Sequence, residues 1–454
     1  MAGATLSSMS NALKINYYGA IIDRLNNATP YYSALKKESE QVTASGVGLK
    51  ATFPVLTRNN QGIGLRAEAA ALPSARQTTT IQLEVPLKYM YGQIKFTGQA
   101  MAASAVNATR FAEVVDLEIK SMTTSMKNEI ALQVITPAQG YLGIANGAGG
   151  GSDATVTVDG PGTIWLRRGM PIQTNAMTTS AGISTISAKG SDTDISHGLT
   201  EATAHQVGTI AKDKLSFELE DYTGSAITTE KWSTNRYIFR YGEVAAGTTN
   251  YGMHGLLSLI DSYADDSTSS WFALNHALIT IQNQSRDTYK ILDANIIHSS
   301  NSVSALSEDL IQELLDQVSE ASGEESHKGQ MMIMDYAVRR TFINLLQADR
   351  RYSPETKKLE GGWDVATYSA GNDKIPMLVD RICPANSILF PNTRFLKMFR
   401  FKDFDWMNKD GSMFERHSDS SGRYDAWTAT MFIYEEQGCT SFQDQGALRD
   451  VATL

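Results

Sequence analysis

Only two cysteines occur in the chain, Cys383 and Cys439, and no CxxC spacing joins them. That excludes a disulfide framework and a zinc knuckle, and fits two idle thiols in a reducing compartment. No excess of basic residues exists. The net charge is -9, against the pattern of a general nucleic-acid binder. No run of about 18 apolar residues is present, so no segment reads as a membrane span. The opening MAGATLSSMSNALK has no apolar signal core, and the expectation is a protein made and used in a cytoplasm. Proline is scarce at 11, whereas glycine reaches 35.

Catalytic signatures are missing too. None of the seven histidines (197, 205, 254, 276, 298, 327 and 417) sits in an HExxH or an i,i+4 pair. Gly147–Gly151 lacks the Lys-Ser/Thr of a phosphate loop and reads as a flexible linker. No GxSxG elbow occurs. A calcium loop at Asn408–Gly411 fails because Trp406 and His417 stand where acids are needed, so the segment reads as a hairpin turn. The expectation is a non-enzyme with no catalytic residue, metal or cofactor. The pairs Asp265/Asp266, Glu324/Glu325, Arg339/Arg340 and Arg350/Arg351 read as solvated or interface faces. The arginines are the better contact candidates, because guanidinium forks suit carboxylates.

What is present is a strong order of parts in a 454-residue chain with 42% hydrophobic content, enough for several domains. Residues 10–29 read as a short helix, from Leu13, Tyr17, Ile21 and Leu25 at four-residue steps. In residues 46–99, Ile81, Leu83, Val85, Leu87 and Tyr89 alternate with polar residues, the period of a half-buried strand. Nineteen extended residues would reach about 60 Å. A long two-stranded arm is marginal alone, so its apolar face is expected to pack on another copy of the chain. The Gly-rich tip between the strands, Arg58 to Gln77, offers Arg58, Arg66, Glu68 and Arg76 for polar contacts with that copy.

Residues 110–135 predict the longest helix, with Val115, Ile119, Met122, Met126 and Ile130 on one face and Pro137 as its stop. Residues 138–152 read as a Gly-rich linker. Residues 153–250, rich in Thr, Ser and Gly, read as short antiparallel strands in an all-β insertion that projects from its surroundings. Beyond 271 the pattern is mixed. Ser307 caps a helix closed by Gly323, QMMIM is a strand, and Asp335 caps a second helix. IPMLVD, SILF, RFLKMFRF and AWTATMFIY are later strands.

Several stretches carry a resemblance. They are NYYGAIIDRLNNATPYYSALKK, LRAEAAALPSARQTTTIQLEVPLKYMYGQIKFTGQAM, FAEVVDLEIKSMTTSMKNEIALQV, MHGLLSLID and MIMDYAVRRTFINLL. With the order of elements, they resemble the major capsid proteins of tailed bacteriophages, an α+β fold named for phage Hong-Kong-ninety-seven and shared with encapsulin shells. The resemblance implies an N-terminal arm and helix at 1–45 and an extended loop at 46–99. It implies a peripheral domain with spine helix at 100–152, the β-rich insertion at 153–250 and an α/β axial domain at 251–380. C-terminal strands at 381–454 would return to both domains. It further implies pentamers and hexamers in an icosahedral shell around double-stranded DNA, assembled in a host cytoplasm and located in the virion. Portal, a separate scaffolding protein and decoration proteins are the implied partners. Lys50, Lys88 and Asn392 would be participants if Lys–Asn cross-links form. The rival readings are an encapsulin-like compartment, another phage structural subunit such as a tail tube or sheath, and an unrecognised enzyme.

Overall fold

The computed structural model describes residues 30–39, 42–45, 48–68, 71–99, 108–137, 140, 142–146, 154–159, 162–175, 177–180, 183–186, 205–221, 223–227, 236–243, 251–262, 280–298, 304–323, 327–349, 356–358, 364–370, 373–407, 415–419 and 422–452. The helix expected at 10–29, the Gly147–Gly151 linker tip and the Asn408–Gly411 turn lie outside these residues.

The chain enters through a short helix, α1 (Pro30–Ala34), which places Tyr31 and Leu35 in the core. It then adds Lys36–Glu38 in parallel to the edge of Leu396–Trp406. That strand belongs to a sheet built around the 18-residue strand Gly422–Cys439. Lys88–Thr97 pairs antiparallel along one side of the long strand, and Leu396–Trp406 and Glu415–Asp419 share the other. Strands on both sides explain why AWTATMFIY carries a near-continuous apolar run rather than strict alternation.

Helix α2 (Ala108–Gln133) covers one face of this sheet. Met126 and Ile130 are buried and Met122 is half-buried, as the apolar spacing predicts. The close approach depends on Gly92, where a Cβ would stand 2.7 Å from Met126 Sδ. Past the helix, Gly255 passes still nearer, its hypothetical Cβ 2.0 Å from the Thr136 carbonyl oxygen. The one-turn helix α3 (Leu256–Leu259) is thereby docked. Its Leu256 amide donates to Val134 O at 2.7 Å, and its four residues are buried.

Between Gly143 and Arg240 the described strands build a six-stranded antiparallel sheet. Its order is Gln206–Ile210, Ser216–Glu220, Thr155–Asp159, Gly143–Asn146, Arg236–Arg240, Ile172–Asn175. One expectation is corrected here. The span 138–152 is not all linker, because Gly143–Asn146 is an interior strand with Leu142, Ile144 and Ala145 buried. Its glycines masked a short apolar alternation. The sheet also packs against later parts of the chain. Val156, Phe217 and Leu219 belong to the same apolar core as Ile333 and Leu389, and Trp165 Nε1 donates to Ile382 O at 2.8 Å.

The last layer is a seven-stranded mixed sheet, ordered Asn295–Ile297, Gly446–Leu448, Ile388–Phe390, Met332–Met334, Asp373–Val379, Asp364–Ala370, Thr356–Lys358. Two helices cover one face. α4 (Glu308–Ser322) opens at Ser307, whose side chain accepts from the Leu310 amide at 3.2 Å, and closes at Gly323 with φ 71°. α5 (Tyr336–Asp349) opens at Asp335, which accepts from the Val338 amide at 2.8 Å. Both start caps, and the glycine that closes α4, were readable in the sequence. Met332 and Met334 pack under the helices while Ile333 turns to the main core, the two-residue period of a strand buried on both faces.

Candidate assembly interface: the extended arm

The arm is a hairpin. Gly48–Arg58 pairs antiparallel with Thr79–Pro86, from Lys50↔Pro86 to Arg58↔Thr79. Val42–Ser45 adds a third strand at the root. The alternation read in the sequence is real: Ile81, Leu83, Val85 and Leu87 are all buried. Their partner is not the expected one. Leu83 is 0% exposed within its own chain, and Ile81, Leu83 and Val85 join the main core beside Ala51 and Phe53. Phe53 stacks on Phe399 at 5.7 Å between ring centroids. The idea that this face awaits a second copy is therefore corrected. The C-terminal strands fold back beneath the arm root and cover it.

Tyr89 is corrected as well. It does not continue the face of Ile81 to Leu87 but lies on the next strand, in the other sheet. It is half-exposed, with its ring edge-on to Tyr434 at 4.8 Å and its hydroxyl accepting from the Leu49 amide at 3.4 Å. The single 60 Å strand is two strands that part at Pro86–Leu87. Proline removes a ladder donor there. Beyond it the buried parity moves from odd to even residues, through Gly92, Ile94 and Phe96.

The outer edge of the root is fastened by polar contacts. Lys50 Nζ lies 2.7 Å from Glu84, and Asn283 Nδ2 donates to the same carboxylate at 3.1 Å. The Lys50 ammonium holds the Glu84 carboxyl below its ordinary range. The Glu84 amide donates to Gln282 O at 3.0 Å, and Gln284 Nε2 to Gln82 O at 2.9 Å, so the hairpin of Thr280–Ile281 and Gln284–Ser285 clips onto the arm strand.

Beyond Arg58 and Thr79 the ladder ends and the chain runs out as a narrow ribbon. Its two limbs approach near Gly62, where a Cβ would meet the Arg76 amide nitrogen at 3.2 Å. Arg58, Arg66, Glu68 and Arg76 are all exposed here, as are three aliphatic side chains that sequence reasoning passed over. Ile63 is 82%, Leu65 100% and Leu72 87% exposed. Burial of one such side chain contributes about 1.5–3 kcal/mol. A projecting ribbon that offers three of them to water carries an unsatisfied contact surface.

Behind the root, buried carboxylates lock the entering chain. Glu435 accepts from Tyr32 Oη at 3.1 Å and from Arg400 Nε at 2.9 Å. Burial raises its carboxyl, and Arg400 opposes the rise. Glu436 accepts from the His254 amide at 3.0 Å and the Gln437 amide at 2.9 Å, and burial pushes its carboxyl up to about 8. Among the described residues, no group of three or more His, Cys, Asp or Glu side chains is placed to hold a metal ion. Asn392 is buried, its side-chain oxygen accepting from the Arg394 amide at 3.1 Å, and Lys50 is engaged with Glu84. Among the described residues, no helix is long and apolar enough to cross a membrane.

Comparison with known proteins adds the following. Residues 233–431 match the family described as SU10 major capsid protein. Curated protein sequences give no match. Among solved structures, the Cyanophage A-1(L) capsid asymmetric unit is similar at 12% identity and a TM-score of 0.50, over 93% of this chain and 93% of that chain. The capsid of Myoviridae Phage XM1 is similar at 7% identity and a TM-score of 0.44, over 99% of each chain. The capsid of a native GTA particle is similar at 10% identity and a TM-score of 0.43, over 100% of each. At 0.50 the first of these shows a shared fold.

Proposed function

We infer that this chain is a major capsid protein of a tailed bacteriophage, a subunit that self-assembles into the icosahedral head shell around the viral DNA. The observation that carries the reading is the match of residues 233–431 to a capsid family, on a chain with the tailed-phage capsid fold. The role is structural. A shell subunit must expose surfaces that only copies of itself cover, and the arm tip supports this. Ile63, Leu65 and Leu72 project on a ribbon whose root is fixed to the body by Leu83, Val85 and Phe53.

The contact between copies is thus made by the tip, with Arg58, Arg66, Glu68 and Arg76 framing its aliphatic residues. The alternating strand face serves as a rigid mount. Charged groups around apolar anchors fix register and exclude water, while the anchors supply most of the affinity. The copies form pentamers and hexamers in a host cytoplasm, with a separate scaffold, a portal and decoration proteins as partners. The enclosed DNA needs no sequence-specific contact, in keeping with the net charge of -9. Negative-stain microscopy of the purified chain, co-expressed with its scaffold, tests this. Closed shells or fivefold and sixfold rings are expected. Fields of single compact particles would contradict it.

A further inference from the structure

Helices α4 and α5 lie side by side on one face of the seven-stranded sheet, toward opposite ends of it. α4 packs over Asn295–Ile297 and Gly446–Leu448, at one edge. α5 sits toward the other edge, where Phe342 meets Tyr368 of Asp364–Ala370, ring to ring at 6.3 Å. Their outer faces carry opposite charge. On α4, Asp309, Glu313, Asp316 and Glu320 are exposed, and the helix contains no Lys or Arg. Their four-three-four spacing sets them in one stripe about 16 Å long. On α5, the exposed stripe is Tyr336, Arg339, Arg340 and Ile343, with the Arg339 guanidinium over the Tyr336 ring at 5.6 Å. Tyr336 is 51% and Ile343 37% exposed.

Among the described residues, none of these four carboxylates and neither arginine forms an ion pair within the chain. Four unpaired carboxylates in a row repel one another, and a face that mixes arginine with a tyrosine and an isoleucine has the make-up of an interface centre. Among the described residues, no ion pair joins these two faces within one molecule. They can meet between copies, head to tail, and a head-to-tail contact repeated by rotation closes a ring.

Resting on the capsid reading above, we propose that the acidic stripe of α4 docks on the Tyr336–Arg339–Arg340–Ile343 stripe of α5 in the next copy, and that this contact sets the ring of the capsomer. The partner is a second copy of this chain. The bidentate fork of arginine suits the carboxylates, and Tyr336 and Ile343 exclude water around them. The acidic pattern opposes pairing of α4 with α4, which gives the ring its direction.

Charge reversal tests this in the full chain with its scaffold. Arg339→Glu with Arg340→Glu, and separately Glu313→Lys with Asp316→Lys, should each leave the far-ultraviolet circular dichroism and melting temperature near wild type. Each should cut the assembled fraction about tenfold or more, as lost charge complementarity does. The chain carrying all four substitutions regains complementarity and should assemble within about threefold of wild type. Either pair reversal assembling as wild type, with both arginines or both acids merely solvated, would overturn the inference and leave the capsid reading standing. So would folded pair variants that the fourfold chain does not rescue. Failure of the wild-type chain to assemble would overturn both.

Discussion

Glu436 shows what one buried carboxyl does to the fold. It is fully buried and accepts two amide hydrogen bonds, yet burial still outweighs them and pushes it up to about 8. In the unfolded chain the same group titrates near 4.5. The folded protein therefore holds its proton while the unfolded chain has lost it. Stability is fully present below about 4.5 and is lost as pH rises through about 8. Glu243, also pushed up to about 8 by burial and by the neighbouring Glu129, acts in the same sense. The melting temperature should fall between about pH 4.5 and pH 8 and level off above that. Glu436→Gln, which keeps an acceptor for both amides, should flatten that fall, and an unchanged slope would reject the assignment. Leu83 makes the residue-scale case for the core. Leu83→Asp places an unpaired charge where no water reaches and should destabilise the monomer by about 3 kcal/mol or more. A soluble variant with a wild-type melt would return the strand face to the inter-subunit role.

At the scale of elements, the sequence was legible where the signal is local. Ser307, Gly323 and Asp335 mark helix ends because caps act within a turn or two, and α2 was found to within two residues from its apolar spacing. The alternation from Ile81 to Leu87 correctly named a buried face. It did not name the partner, since periodicity records that a face is covered and not by what. The covering residues, such as Phe399 and Ile433, arrive some 300 positions later in the chain. The break at Pro86 was missed, because Tyr89 keeps the odd parity of Val85 and Leu87 in the sequence although it lies on the next strand. Gly143–Asn146 was missed too, because four residues among glycines carry too little pattern. The tip aliphatics Ile63, Leu65 and Leu72 show no period at all, and only their exposure reveals them. Joining Arg58 to Thr79 through Asn-Gly should leave the melt unchanged, because the tip adds nothing to the core, and should abolish shell formation. Normal assembly of that variant would remove the tip from the contact.

At the scale of the whole molecule, one apolar core runs from α1 and the arm root through α2 and the insertion to one face of the seven-stranded sheet. A second lies under α4 and α5. Among the described residues, the packed body bears a projecting ribbon and a layer of oppositely charged helices. That combination suits repeated contacts between identical copies. The order of parts was legible early. The docking of the six-stranded sheet was not, because the Trp165–Ile382 hydrogen bond that joins it to the later chain is long-range. On this reading the body assembles with itself through surfaces outside its core. Sedimentation velocity of the full chain at micromolar concentration, with its scaffold present, measures this most directly. Discrete species at the mass of rings or shells are expected, with little material at 49.6 kDa. A single sharp boundary at the monomer mass would contradict it.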